Sequence, residues 1–200
     1  GEEYNVVIAP AKGVALLSET FIQATIYDAL NRPVVLTEPD NTILHYGYDK
    51  GGLLDFIQRN TTEIHISNIE YNEKQQRLVV YYGNNTQTRY EYNTLNFRLT
   101  RILTTRNSGQ DILQDLNYTY DAVGNITGQT DNAQQTFYFN NQVVAPTGSY
   151  AYDALYRLLT ATGREQTALS MPTDSDFVNN IHCPDTATNA MQNYTQHYQY

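Results

Sequence analysis

The most reactive side chains of this 200-residue sequence lie near its C-terminus. His182, Cys183 and His197 are of the types that ligate zinc or build a thiolate nucleophile. A zinc site calls for further ligands at set spacings. The chain has a single cysteine, and adjacent His182-Cys183 in an extended segment project in different directions. A Cys183–His pair would also need an orienting group and an oxyanion site, which no other residues single out. Asp174, Asp176 and Asp185 are calcium-type ligands without the ordered loop and its obligatory Gly. Gly51-Gly52 is followed by no Gly-Lys-Ser/Thr, so it is not a phosphate loop. His45 and His65 fall on expected strands as packed or solvated residues. The expectation is no catalytic residue, no cofactor-binding residue, no metal and hence no enzyme.

The remaining carboxylates recur in one phrase. It reads Tyr27-Asp28-Ala29-Leu30-Asn31-Arg32, Tyr48-Asp49-Lys50-Gly51-Gly52-Leu53, Tyr71-Asn72-Glu73-Lys74-Gln75-Gln76, Tyr92-Asn93-Thr94-Leu95-Asn96-Phe97, Tyr120-Asp121-Ala122-Val123-Gly124-Asn125 and Tyr152-Asp153-Ala154-Leu155-Tyr156-Arg157. A seventh copy begins at Tyr198-Gln199-Tyr200. A shared place in a repeat makes these acids structural, and makes the chain part of an array.

Each copy dictates a local structure. Tyr46, Tyr90, Tyr118 and Tyr150 stand two residues before a repeat tyrosine, which puts both rings on one face of a strand. The Asp or Asn that follows opens a turn by bonding nearby backbone N–H groups. Four residues past the tyrosine come Asn31, Gly52, Gln75, Asn96, Gly124 and Tyr156, mostly types that tolerate positive φ. Gln75 and Tyr156 depart from that pattern, so wider or irregular turns are expected there. Apolar pairs such as Val34-Val35, Val79-Val80 and Leu158-Leu159 then return, so each copy reads as one antiparallel hairpin. From Tyr27 to Tyr48, Tyr71 and Tyr92 the steps are 21, 23 and 21 residues; later steps of 28, 32 and 46 imply insertions. A hairpin alone is marginal in water, so the copies must stack on one another, tyrosine against tyrosine.

Composition bounds the rest. Eighteen tyrosines, no tryptophan and many Asn, Gln and Thr favour β-structure with polar loops. A net charge of -9 argues against nucleic acid or an anionic membrane as partner. Arg98, Arg101 and Arg106 are the nearest approach to a basic cluster. No apolar run reaches transmembrane length, and Gly1-Glu2-Glu3 begins no signal peptide. Sequons at Asn60, Asn84, Asn117, Asn125 and Asn193 are at the level chance supplies in so Asn- and Thr-rich a chain.

Four regions are expected. Residues 1–24 hold strands that precede the repeats. Residues 21–162 form the hairpin array, with Gly128 to Gln135 as a hydrophilic turn before the aromatic strand Phe137-Tyr138-Phe139 and a turn at Asn140-Asn141. Residues 163–193 form an irregular insertion, and residues 194–200 start a further repeat.

These phrases resemble the YD repeats of the Rhs family, found also in teneurins. The resemblance is most specific at Tyr118–Thr127 and Tyr152–Leu159. Asn96–Arg101, Asp131–Thr136, Ala161–Glu165 and Asn189–Tyr194 resemble more narrowly the B component of bacterial insecticidal toxin complexes. The resemblance implies a spiral β-sheet shell that encloses a cytotoxic effector, in a secreted virulence factor. Implied partners are other segments of the same shell, the toxin-complex C component with its toxic cargo and, indirectly, the A component. The Asp-rich self-cleavage motif of that family is not found here. The alternative is a carbohydrate- or protein-binding surface module, its tyrosine rows stacking on sugars.

Overall fold

The computed structural model describes residues 20–139, 141–166 and 191–200. The chain divides into two compact units, residues 1–89 with 106–108, and residues 90–105 with 109–200. Every regular element among the described residues is a strand, and every paired strand is antiparallel to its partner.

The first unit carries β1 (Ala24–Tyr27), β2 (Pro33–Thr37), β3 (Ile43–Tyr48), β4 (Leu54–Arg59), β5 (Glu63–Tyr71), β6 (Arg77–Tyr82) and the start of β7 (Thr86–Tyr92), neighbours in that order. The second carries the end of β7, most of β8 (Leu99–Arg106), then β9 (Asp111–Tyr120), β10 (Ile126–Asp131), β13 (Thr147–Tyr152), β14 (Leu158–Gln166) and β15 (Met191–His197). A separate hairpin of β11 (Phe137–Phe139) and β12 (Gln142–Val144) is inserted between β10 and β13. The expected hairpin array is therefore present, each Tyr-Asp/Asn phrase turning one strand into the next.

Few side chains are buried. Among the described residues the buried apolar side chains are Ile69, Val79 and Val80 in the first unit and Val144 and Ala161 in the second. Burial on this scale follows from single sheets whose faces are half covered by their own cross-strand pairs.

Three expectations need correction. Gly128–Asp131 is strand within β10, because ladder pairing with β9 on one side and β13 on the other outweighs its hydrophilic composition. The stretch 163–193 is strand at both ends: Gly163 to Gln166 complete β14, and Met191 to Asn193 begin β15 opposite them. Gly163 is needed there, since the Tyr194 ring lies over it and an added Cβ would stand 2.6 Å from the phenolic oxygen. Thirdly, the turns at Gln75 and Tyr156 are regular, as shown below. The expectations for residues 1–19 and 167–190, with His182, Cys183, Asp174, Asp176 and Asp185, lie outside the described residues, as does Asn140.

Candidate functional site: turns and tyrosine clasps between repeats

The phrase builds the same turn in five of its six complete copies. In the first copy the Asp28 Oδ1 accepts the N–H groups of Leu30 and Arg32 at 2.8 and 3.0 Å, while the Asn31 N–H donates to the Asp28 carbonyl at 3.0 Å. Asp49 accepts from Leu53 at 2.8 Å, Asn72 from Lys74 and Gln76 at 2.9 and 3.0 Å, and Asp153 from Leu155 and Arg157 at 2.8 and 2.9 Å. Asp121 takes three amides, of Val123, Gly124 and Asn125, at 3.0, 2.7 and 2.8 Å. The residue that completes the turn has positive φ: Asn31 59°, Gly52 86°, Gln75 63°, Gly124 114° and Tyr156 63°. Gln75 and Tyr156 thus adopt the left-handed conformation at a cost of about 1–2 kcal/mol each, because the Asx bonds on either side hold them there.

The irregular copy is the one at Tyr92. Asn93 N–H donates to the Arg98 carbonyl and Phe97 N–H to the Asn93 carbonyl, so this turn is one residue longer. The left-handed position falls on Phe97, at 60°, and Asn96 instead accepts the Arg98 amide at 3.1 Å. The extra residue, which spacing from Tyr92 did not reveal, moves the returning strand to Leu99.

A bulge follows the turn. Tyr48 faces Leu54 and Gly47 faces Phe56, leaving Asp55 without a cross-strand partner. The same two-for-one step leaves out Val34, Leu78, Thr127 and Leu159. In these five bulges the extra residue lies on the returning strand; β5, the strand of Tyr71, carries two further bulges of its own, at His65 and Ser67.

The tyrosines join one copy to the next. Within the first unit the Tyr48 hydroxyl donates to the Pro33 carbonyl and the Tyr71 hydroxyl to the Leu54 carbonyl, both at 2.7 Å. Within the second, Tyr120 donates to Leu99 at 2.6 Å, Tyr152 to Ile126 at 2.9 Å and Tyr200 to Leu158 at 3.1 Å. Each acceptor is the first residue after the preceding turn. The rule holds although donor and acceptor lie 15, 17, 21, 26 and 42 residues apart. Tyr200, not Tyr198, therefore holds the seventh repeat position, with Tyr198 as its companion two residues earlier. Burial pushes the Tyr71, Tyr120 and Tyr152 phenols above the usual tyrosine range.

Arginines of the phrase reinforce the clasps. Arg32 bonds the Asp28 carboxylate through Nε at 2.8 Å and lies 4.2 Å from the centre of the Tyr48 ring. Arg157 bonds Asp153 at 2.7 Å and lies 4.8 Å from the Tyr200 ring centre. Arg98 reaches forward instead, donating to the carbonyls of Asp121 and Ala122 at 2.7 and 3.0 Å. The Arg32 amide and side chain hold the Asp28 carboxyl below its usual range, and the Arg157 amide does the same for Asp153. For Asp121 desolvation pushes upward, and is outweighed by the Asn125 side chain and the three turn amides. Tyr27 is exposed on β1, the first of the described strands, and Asp49 and Asn93 act through their turn bonds.

A second network was not foreseen. Arg101 Nε and Nη2 bind the buried Asp115 carboxylate at 2.6 and 2.9 Å, and Nη1 reaches Glu91 at 3.3 Å. Asp115 also accepts from the Asn117 side chain, while its amide donates to Asp131 Oδ1 at 2.9 Å. Of Arg98, Arg101 and Arg106, the nearest approach to a basic cluster in the sequence, the first two thus serve separate tasks. The hairpin β11–β12 is tied down by Arg164, which donates to the Gln135 carbonyl at 2.8 Å, and by Asn193, which donates to the Val143 carbonyl at 3.1 Å.

The clasps bear on the sugar-stacking alternative. An open concavity of about 410 Å³ lies beside Arg98, Tyr118 and Tyr120, but that guanidinium and the Tyr120 hydroxyl are already bonded to backbone carbonyls. No group of three or more His, Cys, Asp or Glu capable of holding a metal occurs among the described residues.

No protein-family model matches the chain. It is 34% identical over 192 residues to toxin subunit YenC1 of Yersinia entomophaga and 30% identical over 193 residues to toxin subunit YenC2, matches that cover 90% and 92% of the chain. The chain spans about a fifth of the length of these relatives, 19% and 20%. Among solved structures, the crystal structures of TcdB2-TccC3-Cdc42 and TcdB2-TccC3 both superpose with a TM-score of 0.74, at 29% and 30% identity, over 92% of this chain and 9% of theirs. The Yersinia subunits are C-type, whereas the narrower phrases resemble the B component; Rhs repeats are what the relatives and this chain have in common. With its strands matched to theirs over nine tenths of its length, this array of Asx-turned, tyrosine-clasped hairpins belongs to the Rhs (YD-repeat) toxin-complex family.

Proposed function

We propose that this segment is a stretch of wall in the Rhs β-sheet shell of a secreted insecticidal toxin complex, and that the shell encapsulates a cytotoxic effector. Its partners are further segments of the same shell, the C component with its toxic cargo and, through the assembled complex, the A component. The action is steric: a continuous sheet separates cargo from solvent, and this stretch performs no reaction of its own. One observation carries the reading. Successive hairpins are bonded through tyrosine hydroxyls to the preceding turn, so the sheet extends by repetition.

The test is protease protection of the effector in the full-length complex. The native complex should shield the effector. A variant with Tyr48, Tyr71, Tyr120 and Tyr152 all changed to Phe should admit protease to it at a temperature the native wall withstands. An effector digested equally in native complex and denatured control refutes encapsulation.

A further inference from the structure

Asp115 is the one buried carboxylate among the described residues, 6% exposed, and it stands at the root of the inserted hairpin β11–β12. The Asn132 N–H donates to the Asp115 carbonyl and the Asp131 N–H to the Pro146 carbonyl, both at 2.9 Å, so the outgoing and returning legs of the hairpin meet beside it. Asp131 Oδ1 closes the outgoing leg by accepting the Asp115 and Ala133 amides at 2.9 and 3.1 Å. The Asn132 and Asn117 side chains bond the Asp115 carboxylate itself. The charged groups around that carboxylate are Arg101 on β8, paired with it at 2.6 and 2.9 Å, Glu91 on β7, which shares Arg101 at 3.3 Å, and Asp131 at the end of β10.

A charge at this place makes the joint conditional. A well-packed apolar pair would hold the root at every pH, whereas a buried ion pair holds only while both partners are charged. The other anchors of the hairpin are indifferent to acid: Arg164 and Asn193 donate to the carbonyls of Gln135 and Val143. So are the repeat turns, because Asn72 builds with a neutral side chain the turn that Asp28 and Asp153 build with a carboxylate. We propose that Arg101 and Asp115 form an acid-released latch on the root of the β11–β12 hairpin: acid frees the turn 131–134 while the ladder between β13 and β14 stays paired. The proton adds to the Asp115 carboxylate, and Arg101, still charged, loses its partner. Arg101 holds that carboxyl below its usual range, so the latch is shut above about pH 4 and opens as pH falls through the lowered folded value.

The test is hydrogen exchange of the full-length protein at neutral and acid pH, corrected for the intrinsic rate at each. It compares the native chain with Asp115→Asn, whose neutral side chain stands for the protonated acid. On acidification of the native chain the amides of Asn132, Ala133 and Gln134 should lose roughly tenfold or more of their protection, and those joining β13 to β14 should keep theirs. Asp115→Asn should show the open root already at neutral pH, with no further loss in acid. Arg101→Gln removes the charge from the other partner and should open the same amides, which keeps the test decisive if one variant fails to fold. A native root that stays closed in acid overturns the latch, and so does a root that stays closed at neutral pH in the folded variants. An acid loss that persists in Asp115→Asn also overturns it. So does a native chain in which β13–β14 protection falls together with the root, since the joint would then be part of the sheet's own stability.

Discussion

Changing Tyr120 to Phe removes one oxygen and tests the clasp directly. The lost bond is short, 2.6 Å to the Leu99 carbonyl, and partly buried, and burial has already raised the phenol's pKa. The ring stays, so its packing and its contact with Arg98, 5.8 Å from the ring centre, are retained. A neutral hydrogen bond of this kind contributes about 1 kcal/mol net, and up to about 2 kcal/mol if the stranded carbonyl finds no water. Local opening should therefore become roughly fivefold to thirtyfold more frequent. Native-state hydrogen exchange in the intact protein reads this at the amides of Gly124 and Asn125, in the turn that Tyr120 opens. Tyr48→Phe, Tyr71→Phe and Tyr152→Phe should show comparable losses in their own turns. Tyr81→Phe, whose exposed hydroxyl bonds the Glu70 carboxylate at 3.0 Å, is the control and should cost less. If all four clasp variants exchange like the native protein, or if Tyr81→Phe costs as much as they do, the tyrosine hydroxyls do not join the repeats.

Other outcomes follow from the same geometry. Gly124→Ala should destabilise by about 2 kcal/mol or more, since φ is 114° and the new Cβ would meet Arg98 Nη2 at 3.1 Å; Tyr156→Gly should stabilise by about 0.5–1 kcal/mol by relieving left-handed strain. Denaturant midpoints measure both. Arg101→Met should cost about 2–3 kcal/mol, because it strands the buried Asp115 carboxylate; Arg101 holds that carboxyl below its usual range, so the contribution is present above about pH 4 and fades as pH falls through the lowered folded value, and acid titration of the variant should lack this component. Burial raises the phenol pKa of Tyr46, Tyr71, Tyr118, Tyr120 and Tyr152, so their contribution is full below about pH 10 and is lost as pH rises through the folded values. Tyrosinate absorbance should accordingly show a late fraction that titrates together with unfolding; titration of all eighteen tyrosines as a single early class contradicts the burial assigned to these five.

The local chemistry of the repeat was legible in the residues. An Asp or Asn after a strand tyrosine bonds amides two to four positions on, and that is decided within six residues whatever surrounds them. Hairpins, strand direction and the step of about two strands per copy followed from it. Irregularity was misplaced, however. Gln75 and Tyr156 look wrong for a left-handed position, yet the bonds to Asn72 and Asp153 impose it. At Tyr92 the residue types look right, and one extra residue shifts the position from Asn96 to Phe97.

What the chain alone determined, then, is the set of turns and the alternation of the strands between them, because both arise from interactions among near neighbours. Which carbonyl receives each tyrosine hydroxyl was decided only by the folded sheet, since donor and acceptor lie 15 to 42 residues apart and the separation changes with every insertion. The same holds for Arg101 with Asp115, and for Arg164 and Asn193 holding the β11–β12 hairpin. Each of these bonds exists because strand pairing brings two ends of a long loop together, and only once that loop-closing entropy has been met do the side chains share a neighbourhood.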